Sequence, residues 1–369
     1  MEMKKCICLF LLMLSFLAFS ADLMELDDRE YRKKLEGEVL DSSKGISTTD
    51  AVIELFYQAG SKGRLGDFQG ANQDYTKAIE LDPEHYLIDL IYYYRGGNKY
   101  LSGDYHGAIE DYTNAIELNP EYAEAYYSRG INKTELGDHS GAIQDYTKRI
   151  ELDPEFADAY SSRGFSKAEL GDHRGAILDF NKAIEFNPEY AYAYYLRGNS
   201  KSELGDHSGA ILDYSKAIEL NWLNTGYFGR GYSKAALGDH IGAIQDYTKR
   251  IELDPEFADA YFQRGFSKTE LGDHRGAIQD YNKAIELDPS FGVAYLNRGY
   301  CKSALGDHRG AILDFNKAIE LNPEDALAIF NRGLSKIDIN ETDSGCLDLS
   351  RAGEMGYERA YEVIREFCN

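Results

Sequence analysis

The sequence predicts an all-α fold, an α-solenoid built from a repeated pair of helices. The tetrapeptide LGDH recurs at residues 136, 170, 204, 237, 271 and 305, a spacing of 34 with one step of 33. All seven prolines fall at one phase of this repeat: Pro83, Pro120, Pro154, Pro188, Pro255, Pro289 and Pro323. A fixed period of this length, with helix breakers at a single phase, is typical of solenoids of small helical units.

Residues 123–156, AEAYYSRGINKTELGDHSGAIQDYTKRIELDPEF, show why each unit is predicted to hold two helices. Apolar and small residues follow helical spacing in each half of the unit. Gly137 suits the left-handed position just past a helix end, and Asp138 suits the N-cap of the second helix. Asp153 and Pro154 are expected to open the next unit, with Asp as the cap and Pro at the first helical position.

The unit combines an early aromatic residue, a mid-helix Gly, a Gly-Asp turn, then Ala, an aromatic residue and a closing Pro. In this it resembles the tetratricopeptide repeat (TPR). The resemblance covers roughly residues 52–359. Eight copies within 52–325 begin near residues 52, 89, 123, 157, 191, 224, 258 and 292, and a degenerate ninth copy with a capping helix occupies 326–369. The resemblance implies a right-handed α-solenoid whose first helices line a concave, peptide-binding groove.

The N-terminal segment differs from the rest of the chain. A basic start, MEMKK, precedes an apolar run of about fourteen residues and the small residues before Ala21. This pattern predicts a secretory signal peptide over residues 1–20, cleaved after Ser20. The alternative, an uncleaved anchor, is disfavoured because a spanning helix needs roughly 20 apolar residues. We therefore expect an exported protein, periplasmic or secreted, that does not insert into a membrane after cleavage. Residues 21–49 are expected to form a charged linker.

Composition and motifs disfavour several functional classes. The formal net charge of −23 would repel phosphate backbones, so nucleic acid is an unsuitable partner. The chain has no glycine-rich phosphate loop, nucleophile elbow or paired Cys and His at metal-ligand spacing, so no enzyme activity and no cofactor are predicted. The histidines of the LGDH turns belong to different repeats, roughly 10 Å apart, and cannot converge on one metal ion.

Charged residues recur once per repeat in three columns. The Arg column runs through Arg129, Arg163 and Arg197, the Lys column through Lys133, Lys167 and Lys201, and the Asp column lies on the second helices. We expect Arg–Asp ion pairs between helices; an anion-binding stripe is the alternative.

Two aromatic columns are expected to pack in the core. The first runs on the first helices through Tyr92, Tyr126, Tyr160, Tyr194, Tyr227, Tyr261 and Tyr295. The second runs on the second helices through Tyr75, Tyr112, Tyr146, Tyr214, Tyr247 and Tyr281, with Phe180 and Phe315 at its remaining phases.

Positions that vary between repeats are the candidates for binding. They match the groove-facing positions of the TPR family. The aromatic residues, expected to form the floor of the groove, are Tyr93, Tyr127, Phe165, Tyr195, Phe228, Tyr232, Phe262, Phe266 and Tyr300. The acidic residues, expected to form one side of it, are Glu135, Glu169, Glu203 and Glu270. Such a groove suits a protein or peptide segment with apolar anchors and basic residues. The alternative interpretation is that these aromatic residues only pack between repeats.

Two other functions compete with peptide binding. An exported aromatic groove can stack sugars, with Asn199 and Glu203 as hydrogen-bonding groups. An enzymatic repeat class carries a disulfide in each hairpin, but only the last hairpin here has a cysteine pair. We expect Cys346 and Cys368 to form a disulfide there, because an antiparallel hairpin with its turn at Gly356 brings them level.

Overall fold

Nineteen α-helices make up the regular structure of residues 47–368, the part of the chain that the computed structural model describes. In chain order they are α1 (Thr48–Arg64), α2 (Phe68–Leu81), α3 (Ile88–Leu101), α4 (Tyr105–Leu118), α5 (Ala123–Glu135), α6 (His139–Leu152), α7 (Ala157–Glu169), α8 (His173–Phe186), α9 (Ala191–Glu203), α10 (His207–Glu219), α11 (Leu223–Ala236), α12 (His240–Leu253), α13 (Ala258–Glu270), α14 (His274–Leu287), α15 (Gly292–Ala304), α16 (His308–Leu321), α17 (Ala326–Asp338), α18 (Thr342–Glu354) and α19 (Arg359–Phe367).

The helices belong to two units, residues up to Gly103 and residues from Asp104. Unit one contains α1 to α3 and unit two contains α4 to α19. Within unit two each helix packs against the next one in the chain, and successive odd-numbered helices also contact each other, which is the packing of an α-solenoid. The predicted signal peptide and residues 21–46 of the predicted linker lie outside the described residues, and α1 begins at Thr48.

None of the helices in residues 47–368 is long and apolar enough to cross a membrane.

The turn inside each helix pair follows the prediction. Gly137 has φ of +81°, the left-handed conformation that Gly adopts without steric cost. Asp138 caps α6, and its Oδ1 accepts a hydrogen bond from the Gly141 amide at 2.9 Å. The same cap opens other second helices, at Asp67, Asp104, Asp172, Asp206, Asp239, Asp273 and Asp307.

The turn between pairs corrects one expectation. Pro154 does not occupy the first position of α7, which begins three residues later at Ala157. It lies second in a four-residue turn, closed by a hydrogen bond from the Phe156 amide to the Asp153 carbonyl at 3.4 Å. Asp153 also accepts from the Glu155 amide through its side chain. Pro favours this position because its fixed φ matches that of a β-turn.

The second-helix aromatic column forms the core, as predicted. Tyr146, Phe180, Tyr247, Tyr281 and Phe315 are among the largest fully buried side chains. Each ring fills the space left by a glycine on the partner helix; for example, a Cβ at Gly164 would lie 2.8 Å from Phe180 Cε1.

The first-helix tyrosine column is not in the core. These residues are only half-buried, and each lies under the Arg three positions later, with Arg129 Cζ 5.6 Å from the Tyr126 ring centroid. The i, i+3 spacing on a helix produces this contact, a cation–π interaction. The fully buried position on the same helix is taken by a small residue, Ala125.

The expected Arg–Asp ion pairs are present in unit two. Asp145 on α6 is buried, and Arg129 on α5 binds it through Nε and Nη2 at 3.1 and 2.7 Å. Lys133 reaches the same carboxylate at 2.8 Å, and Arg129 Nη1 donates to Thr113 of the preceding pair. This Arg–Asp–Lys clamp therefore ties two helix pairs together. It recurs around Asp179, Asp213, Asp246, Asp280, Asp314 and Asp348.

The C-terminal helix α19 packs on the last pair. Ala360 is fully buried, and Tyr357, just before the helix, lies 4.7 Å from the Phe330 ring. The predicted disulfide is present, with the Cα atoms of Cys346 and Cys368 5.8 Å apart. It fixes the end of α19 to α18.

Candidate functional site

Aromatic side chains cover one side of the first helices of unit two, which we call the first-helix face. It carries eight of the predicted binding residues: Tyr127, Phe165, Tyr195, Phe228, Tyr232, Phe262, Phe266 and Tyr300. They lie in an inner and an outer layer.

The inner layer is half-buried and packs between repeats. Tyr127 contacts the core ring of Tyr146 at 5.7 Å and the turn residue Phe156 at 5.1 Å. Phe262 makes the equivalent contacts with Tyr281 and Phe291, at 5.8 and 4.8 Å. Tyr195 and Phe228 are placed in the same way. These rings form the floor of the face and present only part of their surface to solvent.

Tyr93 does not belong to this face. It lies in unit one, only 4% of its surface is exposed, and its ring packs edge-on against Tyr94 at 5.5 Å. Its place in the repeat suggested a groove position, but its side chain is buried.

The outer layer is exposed. Tyr232, Phe266 and Tyr300 lie on the successive first helices α11, α13 and α15, with 50%, 38% and 50% of their surfaces exposed. Phe165 occupies the same position on α7 and is half-buried. These exposed aromatic rings occupy the same position in three consecutive repeats, and together they form an apolar strip along the first helices.

The histidines of the LGDH turns support the outer layer. His207 lies 6.3 Å from Tyr232, His274 lies 6.1 Å from Tyr300, and His139 lies 6.2 Å from Phe165, each edge-to-face. Each histidine thus packs its turn against the next repeat.

The predicted acidic residues lie at the last turn of their helices. Glu169, Glu203 and Glu270 are exposed and Glu135 is half-buried. Burial raises the pKa of the Tyr214 and Tyr281 hydroxyls, and the nearby carboxylates of Glu203 and Glu270 raise it further. Glu203 and Glu270 therefore lie near the core rings beneath the aromatic floor and add negative charge there.

The sequence interpretation missed the turn aromatics that directly precede most first helices of unit two. Phe156, Phe257 and Phe291 all contact the inner layer. Trp222, directly before α11, is also a turn aromatic: its ring lies 5.1 Å from Tyr192 and 6.1 Å from Tyr195. The shorter turn closes through Asn221 at φ +67°. The recurrence of an aromatic residue at this phase was the available signal.

The chain is similar in structure to solved repeat proteins. It aligns with the C-terminal part of a TPR protein from Cytophaga hutchinsonii at 17% identity and TM-score 0.55, over 65% of this chain and 98% of that one. It aligns with a structure of the Cut9–Hcn1 hetero-tetramer at 15% identity and TM-score 0.51, over 95% and 82%. YrrB, described as a TPR protein with an unusual peptide-binding site, aligns at 24% identity and TM-score 0.46, over 50% and 95%.

Sequence comparison gives the family. No curated protein matches the chain. Profiles described as TPR repeat or tetratricopeptide repeat match residues 60–85, 97–131, 123–156, 166–205, 191–221, 258–291 and 292–325. These matches extend through both units, and the solved structures share the fold, so the chain belongs to the tetratricopeptide repeat family.

Proposed function

We propose that this protein is an exported scaffold that binds a peptide or protein segment on the first-helix face of unit two. The observation that carries the proposal is the strip formed by Tyr232, Phe266 and Tyr300, which are exposed on three consecutive first helices. Exposed aromatic side chains over a packed floor are typical of the energetic centre of a protein interface.

The chemistry of the face specifies the partner's character. Apolar or aromatic side chains of a partner would pack against the outer layer. Basic side chains would be attracted by Glu203, Glu270 and the overall charge of −23. Export rests on the N-terminal sequence pattern alone.

Carbohydrate binding is the second candidate, since exposed tyrosines can stack on sugar rings. One observation counts against it. Asn199, the amide expected to hydrogen-bond a sugar, already accepts a hydrogen bond at Oδ1 from the Tyr214 hydroxyl at 2.8 Å.

Selection from a phage-displayed library of random peptides tests the proposal. Peptides selected on the wild-type chain are measured again on the triple variant Tyr232→Ser, Phe266→Ser, Tyr300→Ser. The matched control is Leu178→Ser, Leu212→Ser, Leu313→Ser, which removes three exposed leucines from second helices. Thermal melting establishes that both variants fold.

We expect selected peptides to lose at least about tenfold in affinity for the aromatic triple variant, the equivalent of about 1.4 kcal/mol, and to keep it for the leucine variant. Equal binding to both variants would refute the proposed face. A wild-type chain that selects no peptide but binds an immobilised glycan array through the same tyrosines would favour the carbohydrate alternative.

A further inference from the structure

A cleft of about 570 Å³ lies in unit one, against α2 and the C-terminal end of α3. Its volume falls within the range of small-molecule sites in proteins. Five of its lining residues belong to α2 and one directly follows α3: Gln69, Asn72, Gln73, Thr76, Lys77 and Ser102. Every one of these side chains is polar, and none belongs to the first-helix face of unit two.

Asn72 occupies a position that is apolar in the repeats of unit two. It directly follows Ala71, the fully buried alanine of α2. After the equivalent alanine, the even-numbered helices from α4 to α16 all carry isoleucine: Ile109, Ile143, Ile177, Ile211, Ile244, Ile278 and Ile312. The polar side chain at residue 72 is therefore a departure from the repeat.

The carboxamide oxygen of Asn72 is not satisfied by the protein. Its Oδ1 is buried and has no hydrogen-bond partner among the described residues. Thr76, one turn later, does not supply a donor, because its hydroxyl donates to the Asn72 main-chain carbonyl at 2.7 Å and accepts from Arg95 Nη1 at 2.9 Å. An unsatisfied buried acceptor lowers stability, so packing does not explain this Asn.

Ser102 is a second polar replacement at the same cleft. It stands directly before the Gly-Asp turn that begins at Gly103, and the residue at every other such turn is leucine: Leu65, Leu136, Leu170, Leu204, Leu237, Leu271 and Leu305. The Ser102 hydroxyl donates to the Lys99 carbonyl at 2.9 Å, which leaves its oxygen lone pairs as acceptors. Two replacements of an apolar by a polar residue, from different parts of the chain, thus meet at one cleft.

The other lining groups are mainly neutral amides. Gln69 and Gln73 are exposed, and their carboxamides have no hydrogen bond with any residue of the described range 47–368. Lys77 already pairs with the buried Asp74 at 3.2 Å, so its charge is partly compensated. No carboxylate occurs among the described residues that line the cleft. The cleft therefore offers many donors and acceptors but little net charge.

We propose that this cleft binds a neutral, hydroxyl-rich ligand, a sugar unit of an oligosaccharide. A sugar hydroxyl both donates and accepts, so it can donate to Asn72 or Ser102 and accept from the amide groups of the glutamines. A purely apolar ligand would leave these polar groups unpaired, and an anion would find one cation that is already paired. The inference goes beyond the proposed function, because the site lies in unit one and shares no residue with the first-helix face.

An NMR titration of the full chain tests the cleft, with the neutral disaccharides maltose, cellobiose and N,N′-diacetylchitobiose as probes. We expect saturable shifts of the side-chain carboxamide signals of Asn72, Gln69 and Gln73 with at least one of them. Inorganic phosphate tests an anion site, and tert-butanol tests an apolar cleft. The proposal is overturned if no disaccharide gives a saturable response, or if phosphate or tert-butanol binds as well as the best disaccharide.

The double variant Asn72→Ile, Ser102→Leu restores the residues of the other repeats. It should weaken disaccharide binding at least about tenfold, because it removes the hydrogen-bonding groups that distinguish the cleft. It should melt no lower than wild type, because both new residues occur at these positions elsewhere in the chain. Undiminished disaccharide binding by this variant would overturn the proposal.

Gln73→Ala and Gln144→Ala form a matched pair, since Gln144 is the equivalent residue of α6 and follows an isoleucine there. Gln73→Ala should weaken the disaccharide about threefold, and Gln144→Ala should leave it unchanged. Equal losses in the two variants would contradict the assignment.

The aromatic triple variant Tyr232→Ser, Phe266→Ser, Tyr300→Ser separates this site from the proposed function. It should bind the disaccharide as the wild type does, because it changes unit two alone. Loss of disaccharide binding in this variant would show that the cleft in unit one is the wrong site. If the disaccharides fail to bind while selected peptides still require the three aromatic residues, this inference is wrong and the proposed function stands.

Discussion

Residues 141–177 and 242–278, which we call the first and the second block, differ at only three of 37 positions but have different surroundings. Each block contributes the Arg of a clamp of the same geometry, whose Asp lies two residues beyond the block: Arg163 binds Asp179 at 2.7 Å, and Arg264 binds Asp280 at 2.6 Å. Beside the first block stands Tyr190, whose hydroxyl faces an acid; beside the second stands Phe291, which has none.

The comparison separates two kinds of residue: those that stabilise the fold, which both blocks share, and those that make the surfaces of the two blocks different. The clamp, the turn and a glycine–aromatic contact occur at both blocks, with Phe180 as the ring at the first and Tyr281 at the second, because every repeat must pack on the next. Asp158 and Asp259 have different surroundings because the neighbouring repeats contribute different residues beside them. Variants made in pairs, one in each block, test this separation.

The largest expected effect comes from the clamp. Arg163→Ala and Arg264→Ala each leave a buried Asp without its bidentate partner, which should cost roughly 3–5 kcal/mol of unfolding free energy. The loss should be equal in the two blocks, as measured by urea and thermal denaturation. Lys167→Ala and Lys268→Ala are the controls, and they should cost less because the Arg remains. Unequal losses for the two arginines would show that the blocks differ in their packing as well.

An intermediate effect is expected from the glycines that contact the core rings. A Cβ on Gly164 would lie 2.8 Å from Phe180, and a Cβ on Gly265 would lie 2.9 Å from Tyr281. Each ring must shift, so Gly164→Ala and Gly265→Ala should each lose about 1–3 kcal/mol. Melting temperatures of the two variants should agree. A stable alanine variant in either block would mean that the helices there approach less closely.

The smallest effect distinguishes the blocks. Because the pKa of Asp259 is raised in the folded protein, the folded state holds the proton more tightly than the unfolded state does. The charged carboxylate therefore lowers stability at neutral pH, and this cost disappears as the pH falls through the folded pKa. Asp259→Asn should melt slightly higher than wild type at neutral pH, by less than about 1 kcal/mol, with no difference in acid.

Asp158→Asn serves as the control for this pH series. If it stabilises the chain as much as Asp259→Asn does, the two acids have equivalent surroundings, and the difference that we infer between the blocks is wrong.

Much of the fold follows from local sequence. Gly137 and Asp138 define the turn through their own conformational preferences, and the 34-residue period places Arg129 opposite Asp145. These features depend on residues within a single helix pair, which sequence spacing captures directly.

The errors concern the burial of individual aromatic side chains. Tyr93 is buried and packs against Tyr94, while Tyr126 is only half-buried and lies beneath Arg129 of the same helix. The distinction between Asp158 and Asp259 depends on residues outside their own helical turn, above all on Tyr190 against Phe291, about thirty residues further along the chain. Residues at equivalent positions of the repeat therefore differ in burial and in neighbours, and the position alone does not predict these differences.

Photo-crosslinking tests the central claim, that the first-helix face of unit two is the binding surface, most directly. The variants Phe266→p-benzoylphenylalanine on α13 and Leu212→p-benzoylphenylalanine on α10 replace one exposed apolar residue each, on a first and a second helix. Both are irradiated with a peptide selected on the wild-type chain. We predict a covalent adduct with the residue-266 variant, reduced by excess free peptide, and none with the residue-212 variant. An adduct with the residue-212 variant alone would contradict the account.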